Sequence, residues 1–169
     1  MSDSDFPRGD TNPDQAPDGP EWFSPVDPRT GDPGLRFSCT MCGNCCTGAE
    51  GYVLVTDAEC EALAARQGIP VAEFIDRFTR ILPQGRSLTE RLSSVGMDCV
   101  YLDREKIPGK AVCGVYEDRP GQCRTWPFWP SVVKDMKTWQ RHKQICPGMD
   151  KGKLVTIAEI RIQRDSFRI

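Results

Sequence analysis

Apolar positions recur at helical spacing in only a few stretches of this chain, and the clearest lie between residues 56 and 82. Cys60, Leu63 and Ala64 fall at i, i+3 and i+4, the spacing of one helix face. Thr56 and Glu59 stand ahead of them as a capping box, so the pattern predicts a helix to about Gln67 that stops at Gly68. Pro70 opens a second helix whose stripe is Val71, Phe74, Ile75 and Phe78, closed by Leu82-Pro83. Both helices read as scaffold, with Cys60 on a core face. The apolar run over 51–55 reads as a short buried strand. Between 86 and 117, Cys99-Val-Tyr-Leu and Ala111-Val-Cys-Gly-Val-Tyr flank a turn containing Pro108-Gly109, which predicts a hairpin with Cys99 and Cys113 on neighbouring strands. Asp118-Arg-Pro120 marks a short helix carrying Cys123. Residues 131–145 show no decisive period. Thr156 and Glu159 repeat the capping box and predict a helix over 157–167, packed down by Ile157, Ile160 and Phe167. The elements add up to an α+β domain with two or three helices and short antiparallel strands, without internal repeats.

Composition divides the chain near residue 34. Seven of the 14 prolines and eight of the 24 acidic residues precede that point, against two basic ones, Arg8 and Arg29. Such a segment buries too little apolar surface to offset its ordering entropy. Residues 1–34 are therefore expected to be a disordered acidic tail, with a short anchor around Trp22 and Phe23. Residues 35–169 form one domain with a modest core, and they hold twenty of the 22 Lys and Arg. No targeting segment or membrane-length apolar run is visible, so the expected location is cytoplasmic. A reducing compartment and an odd count of nine cysteines argue against structural disulfides.

The cysteines change the picture most. Cys39-Thr-Met-Cys42-Gly-Asn-Cys45-Cys46 places four thiols in eight residues, too dense for all of them to face one apolar core. Gly43 and Asn44 supply a turn that can curl thiolates around a common point, as a metal or an iron–sulfur cluster requires. Cys99, Cys113, Cys123 and Cys146 follow. An all-thiol set selects zinc, Cu(I) or iron–sulfur over hard cations. Two zinc sites of four thiolates each would use all eight, and one four-iron cluster would use four. The gaps of two residues between Cys39, Cys42 and Cys45 match the start of the bacterial ferredoxin run, and Cys146 is followed by Pro147. Separated pairs of cysteines two residues apart, the commoner zinc pattern, do not recur in the second half, so iron–sulfur is favoured modestly over zinc. Cys45 and Cys46 would point to opposite faces in an extended backbone, giving two sites on one loop or one ligand beside a free thiol. Trp126, Phe128 and Trp129 could shield the site, and Arg119 and Arg124 could offset thiolate charge. His142, in a polar stretch, reads as exposed.

These residues resemble the YkgJ-type cysteine-cluster family of zinc- or iron-chelating proteins. The CxxCxxCC signature is Cys39, Cys42, Cys45 and Cys46. The second block is Cys99-Val-Tyr-Leu102 and Cys113-Gly-Val-Tyr116-Glu-Asp-Arg119-Pro120-Gly-Gln-Cys123-Arg124, followed by Trp126-Pro127-Phe128 and the closing Cys146-Pro-Gly-Met-Asp-Lys-Gly. The resemblance spans about 36 to 150. It implies a metal site of eight cysteines, Cys39, Cys42, Cys45, Cys46, Cys99, Cys113, Cys123 and Cys146, with Cys60 outside it, in a small irregular metal-stabilised domain. Some relatives are flagellin lysine-N-methylases, but no Gly-rich S-adenosylmethionine loop is present here. Three functions compete. The first is a cytoplasmic chelator of zinc or iron. The second is an iron–sulfur oxidoreductase or methylase-like accessory, which needs an open coordination position and a substrate pocket. The third is a zinc-stabilised module that binds protein or nucleic acid. Residues 112–169 carry eleven basic and six acidic side chains, a weak surplus for nucleic acid.

Overall fold

The computed structural model describes residues 21–29 and 31–166. In chain order the elements are β1 (Gly34–Phe37), α1 (Asp57–Gln67), α2 (Val71–Phe78), β2 (Thr79–Leu82), β3 (Gly85–Leu88), β4 (Glu90–Ser93) and β5 (Gly96–Cys99). There follow β6 (Leu102–Asp103), β7 (Val112–Cys113), α3 (Gly121–Arg124), α4 (Pro130–Val133), α5 (Met136–Lys143), β8 (Met149–Thr156) and α6 (Ile157–Ser166). The fold is a small α+β domain. Its strands pair antiparallel two by two, β1 with β8, β2 with β3, β4 with β5 and β6 with β7, and among the described residues they merge into no larger sheet. No helix among the described residues is long and apolar enough to cross a membrane.

Both capping boxes form. Thr56 accepts from the Glu59 amide while Glu59 reaches back to the Thr56 amide, and Gly68, at φ 67°, ends α1 in the left-handed conformation. Thr156 and Glu159 repeat the exchange at the start of α6. Three local expectations fail for physical reasons. Residues 51–55 make a single bridge, Leu54 to Ser87, because the Ser87 hydroxyl takes the Val53 amide that the next ladder bond would use; the Gln122 side chain takes the Leu54 amide and the Tyr52 carbonyl on the other edge. The second helix stops at Phe78 rather than Leu82. Thr79 and Ile81, β-branched residues suited to strands, instead pair with Leu88 and Arg86, and Arg80 binds Glu50 and Glu90. Cys99 is not opposite Cys113. It pairs with Glu90 in the β4–β5 hairpin, whereas Cys113 pairs with Leu102. Residues 131–145 resolve into α4 and α5, the latter capped by Asp135, which accepts from the Thr138 amide.

Two apolar cores result. One holds Phe23, Leu35, Phe128, Val132, Val133, Trp139, Cys146, Met149, Val155 and Ile160. The other holds Val55, Cys60, Leu63, Ala64, Phe74, Leu88 and Val115, with Cys99 and Cys113 packed against it. Cys60 is fully buried there. Ile157 packs on the first core beside Ile160, and Phe167 lies outside the described residues.

The disorder expected for the acidic segment falls, for residues 1–20 and 30, outside the described residues. The anchor at Trp22 and Phe23 is seen. Phe23 is 3% exposed, Trp22 Nε1 donates to the Val133 carbonyl at 2.6 Å, and Glu21 pairs with Arg161 and Arg164 of α6. Asp27, held well below the usual carboxylate range by hydrogen bonds from Arg29, also binds Arg36 of β1. Truncating Phe23→Ala should therefore cost about 3 kcal/mol or more, the range for a buried phenylalanine. Urea unfolding of the full chain checks this, and an unchanged midpoint would mean that the anchor does not belong to the core.

Candidate metal centre

The cysteine loop leaves β1 directly. Where β1 meets β8, the register jumps from Arg36–Leu154 to Phe37–Met149, so residues 150–153 bulge around Ser38. Gly152, at φ +77°, makes this possible, since a Cβ there would stand 1.9 Å from Ser38 Oγ. The loop itself is curled. Met41 has a positive φ of 56°, and the Cys46 amide donates to the Gly43 carbonyl at 2.8 Å. Three long-range hydrogen bonds stitch it in place. The Ala111 amide donates to Met41 O at 2.8 Å and the Cys99 amide to Cys46 O at 2.8 Å, while Asn44 Nδ2 donates to Ile145 O at 2.6 Å.

Each stitch delivers a cysteine. Ala111 leads into β7 and Cys113, Cys99 ends β5, and Ile145 precedes Cys146. Cys123 arrives on the single turn of α3, which is fixed by the Gly121 amide on Glu59 and by buried Gln122 spanning to 52–54. All eight predicted cysteines, Cys39, Cys42, Cys45, Cys46, Cys99, Cys113, Cys123 and Cys146, line one cavity of about 650 Å3. Its walls include Phe128 and Val155 of one core and Leu88 and Val115 of the other, so it lies between the two. A smaller cavity of about 120 Å3 shares Cys45, Cys46 and Cys99. Cys60 lines neither cavity. His142 is half-buried rather than exposed. It lies off the cavity wall, with Nδ1 held by the Thr138 carbonyl at 2.9 Å.

Cys45 and Cys46 do not point to opposite faces. The turn brings their Sγ atoms to 3.5 Å. Two thiolates on one tetrahedral zinc, each about 2.3 Å from it, stand roughly 3.8 Å apart, so this pair has the bite of a chelate. Among the described residues, no three His, Cys, Asp or Glu side chains converge as closely as the ligands of one ion do.

The two thiols of the pair differ. The hydrogen bond from Cys46 pulls the Cys45 thiol down, and Cys46, as its donor in a desolvated place, is pushed up. Burial raises Cys99 to about 11 and pushes Cys113, Cys123 and Cys146 up as well. Arg119 opposes this at Cys45, Cys113 and Cys123. Its guanidinium stacks over Tyr116 at 3.9 Å and donates to the Tyr116 carbonyl at 2.6 Å. Arg124 turns to Glu59 and the Arg119 carbonyl. The wall also holds one buried polar atom without a partner, Thr40 Oγ1, and one, Trp126 Nε1, that meets only a thiol sulfur, and buried groups of this kind mark places where a further component belongs. A thiol-rich wall with spare polar atoms fits a thiophilic metal or cluster. Sequence reasoning missed the positioning roles of Asn44 and Gln122, because both depend on backbone groups distant in the chain.

A family model, CxxCxxCC, described as a putative zinc- or iron-chelating domain, matches residues 38–147. No solved structure matches the chain. The matched span begins at the bulge-bound Ser38 and ends just past Cys146, and so takes in every thiol of the cavity. It covers well over half of the chain, which therefore belongs to the CxxCxxCC family.

Proposed function

We propose that this protein chelates zinc or iron through Cys39, Cys42, Cys45, Cys46, Cys99, Cys113, Cys123 and Cys146, with an iron–sulfur cluster as the favoured cargo. The sorting of the nine cysteines carries this reading: eight line the large cavity and the ninth, Cys60, is sealed in a core. One observation favours a cluster over separate zinc ions: Cys39, Cys42 and Cys45 keep the ferredoxin-like gaps of two residues. Held as a cluster, the cargo supplies one-electron redox chemistry; held as zinc, it supplies cross-links between the two cores. In this reading residues 35–169 are the chelating domain and 1–34 an acidic tail. The protein works in the cytoplasm, where a reducing poise keeps thiols free.

The cavity volume supports a second reading, an iron–sulfur oxidoreductase. At about 650 Å3 it falls within the roughly 300–1,000 Å3 of small-molecule sites, leaving room for a substrate beside the metal.

Anaerobic purification followed by assay of iron, acid-labile sulfide and zinc per chain separates the cargoes. Matching iron and sulfide with visible absorption is expected, and stoichiometric zinc in a colourless protein would replace the cluster reading with the structural one. Cys42→Ser should lose the metal and Cys60→Ala should keep it. Metal retained by the first variant, or lost by the second, would overturn the ligand set.

Loading zinc onto metal-free protein in weak buffer at neutral pH should release about one proton per coordinating thiol, because burial holds Cys99, Cys113, Cys123 and Cys146 protonated. Retention should accordingly weaken as pH falls. Uptake without proton release, followed by pH-stat titration, would point to ligands other than these thiols.

A further inference from the structure

The chain has four tryptophans, and three of them satisfy their indole N–H inside the fold. Trp22 Nε1 donates to Val133 O at 2.6 Å, Trp129 Nε1 to Gln122 O at 2.9 Å and Trp139 Nε1 to Asp150 Oδ1 at 2.8 Å. Trp126 Nε1 is buried yet has no such partner. Its ring does not lack support. It packs edge-on against Trp129 at 4.8 Å and against His142 at 6.0 Å, and the histidine is itself tied to the Thr138 carbonyl. The ring lines the thiol cavity together with Cys146 and packs on the core that holds Cys146, and the acceptor its N–H meets there is the Cys146 thiol, a weak one.

A buried donor without an acceptor is costly, and a fold that satisfies three indoles has no evident reason to strand the fourth. A neutral thiol is a weak acceptor. A metal-bound thiolate is a strong one, and donors in the outer shell of a metal site orient the ligand atoms they touch. Cys146 itself is buried in the first core, with little water to serve as donor instead.

We propose that the Trp126 indole N–H donates a hydrogen bond to the metal-bound sulfur of Cys146 and is a positioning residue for that ligand. The inference rests on the reading of Cys146 as a ligand. In the metal-free protein the N–H meets only the weakly accepting thiol, and loading supplies a strong acceptor. Trp22, with its N–H already bonded to the Val133 carbonyl and its ring off the cavity wall, serves as the internal control.

The test uses the full chain, labelled with nitrogen-15, metal-free and then loaded with zinc. Four indole N–H signals are expected, and the one absent from Trp126→Phe is Trp126. On loading, that signal should move downfield and exchange more slowly with water while the other three hold their positions. Trp126→Phe should weaken zinc binding by about 10–100-fold, the usual loss for an outer-shell partner, and should release zinc at a higher pH. Trp22→Phe should leave both unchanged. Zinc bound with no response at the Trp126 signal overturns the inference and leaves the chelation reading standing. Failure of the wild-type chain to bind zinc, cadmium or iron overturns that reading and the inference with it. If Trp126→Phe does not fold, the wild-type signals still decide.

Discussion

Met41 O, Asn44 Nδ2 and Cys46 O each grip a piece of chain far from the cysteine loop, namely Ala111, Ile145 and Cys99. The site depends on these grips more than on any regular element. No sheet larger than two strands forms among the described residues, and β6 and β7 are two residues each, too short to be stable alone. The loop therefore acts as the organiser. Its curled backbone exposes carbonyls that would otherwise pair along a strand, and distant segments use them. Gly43 allows the approach, since a Cβ there would meet Ala111 Cβ at 2.5 Å.

The cost of this arrangement is electrostatic. Thiols are gathered between two small cores, where burial favours their neutral form. Arg119 is the cation that works against burial at three of them. It is immobilised by Tyr116 from above and through its own carbonyl by Arg124. Cys45, favoured toward the thiolate and exposed, contrasts with buried Cys146. The cavity thus has an accessible rim, with Cys39 and Cys45 exposed, and a protected interior.

Local signals in the sequence are legible where neighbours in the chain decide the outcome. The capping boxes at Thr56 and Thr156, the stop at Gly68 and the core face of Cys60 are all of this kind. The eight thiols are legible as a set because density and spacing leave few other uses for them. Their geometry is not. The convergence of Cys45 and Cys46 follows from the Gly43 turn, whereas alternation to opposite faces holds only for an extended backbone. The hairpin around Pro108-Gly109 forms as β6 with β7, but Cys99 is not on a strand next to that of Cys113, because Glu90 of β4 takes the place opposite it. The failure of 51–55 to pair beyond one bridge traces to the Ser87 hydroxyl, which takes the Val53 amide from more than thirty positions away. Trp126 is legible as a shield for the site, but its stranded N–H emerges only once the partners of the other three indoles are known.

The pairing of β1 with β8 has a consequence for how the cavity comes into being on the ribosome. Arg36 and Gly152, joined by a hydrogen bond, are separated by 116 positions, and Cys146 is seated only when the chain around Gly148 closes on Ser38. Synthesis proceeds from the amino end, so all eight thiols, Cys146 included, emerge before β8 does. The cavity therefore closes only when β8 pairs with β1, which makes its completion a late event of biosynthesis rather than a step that guides folding from its start.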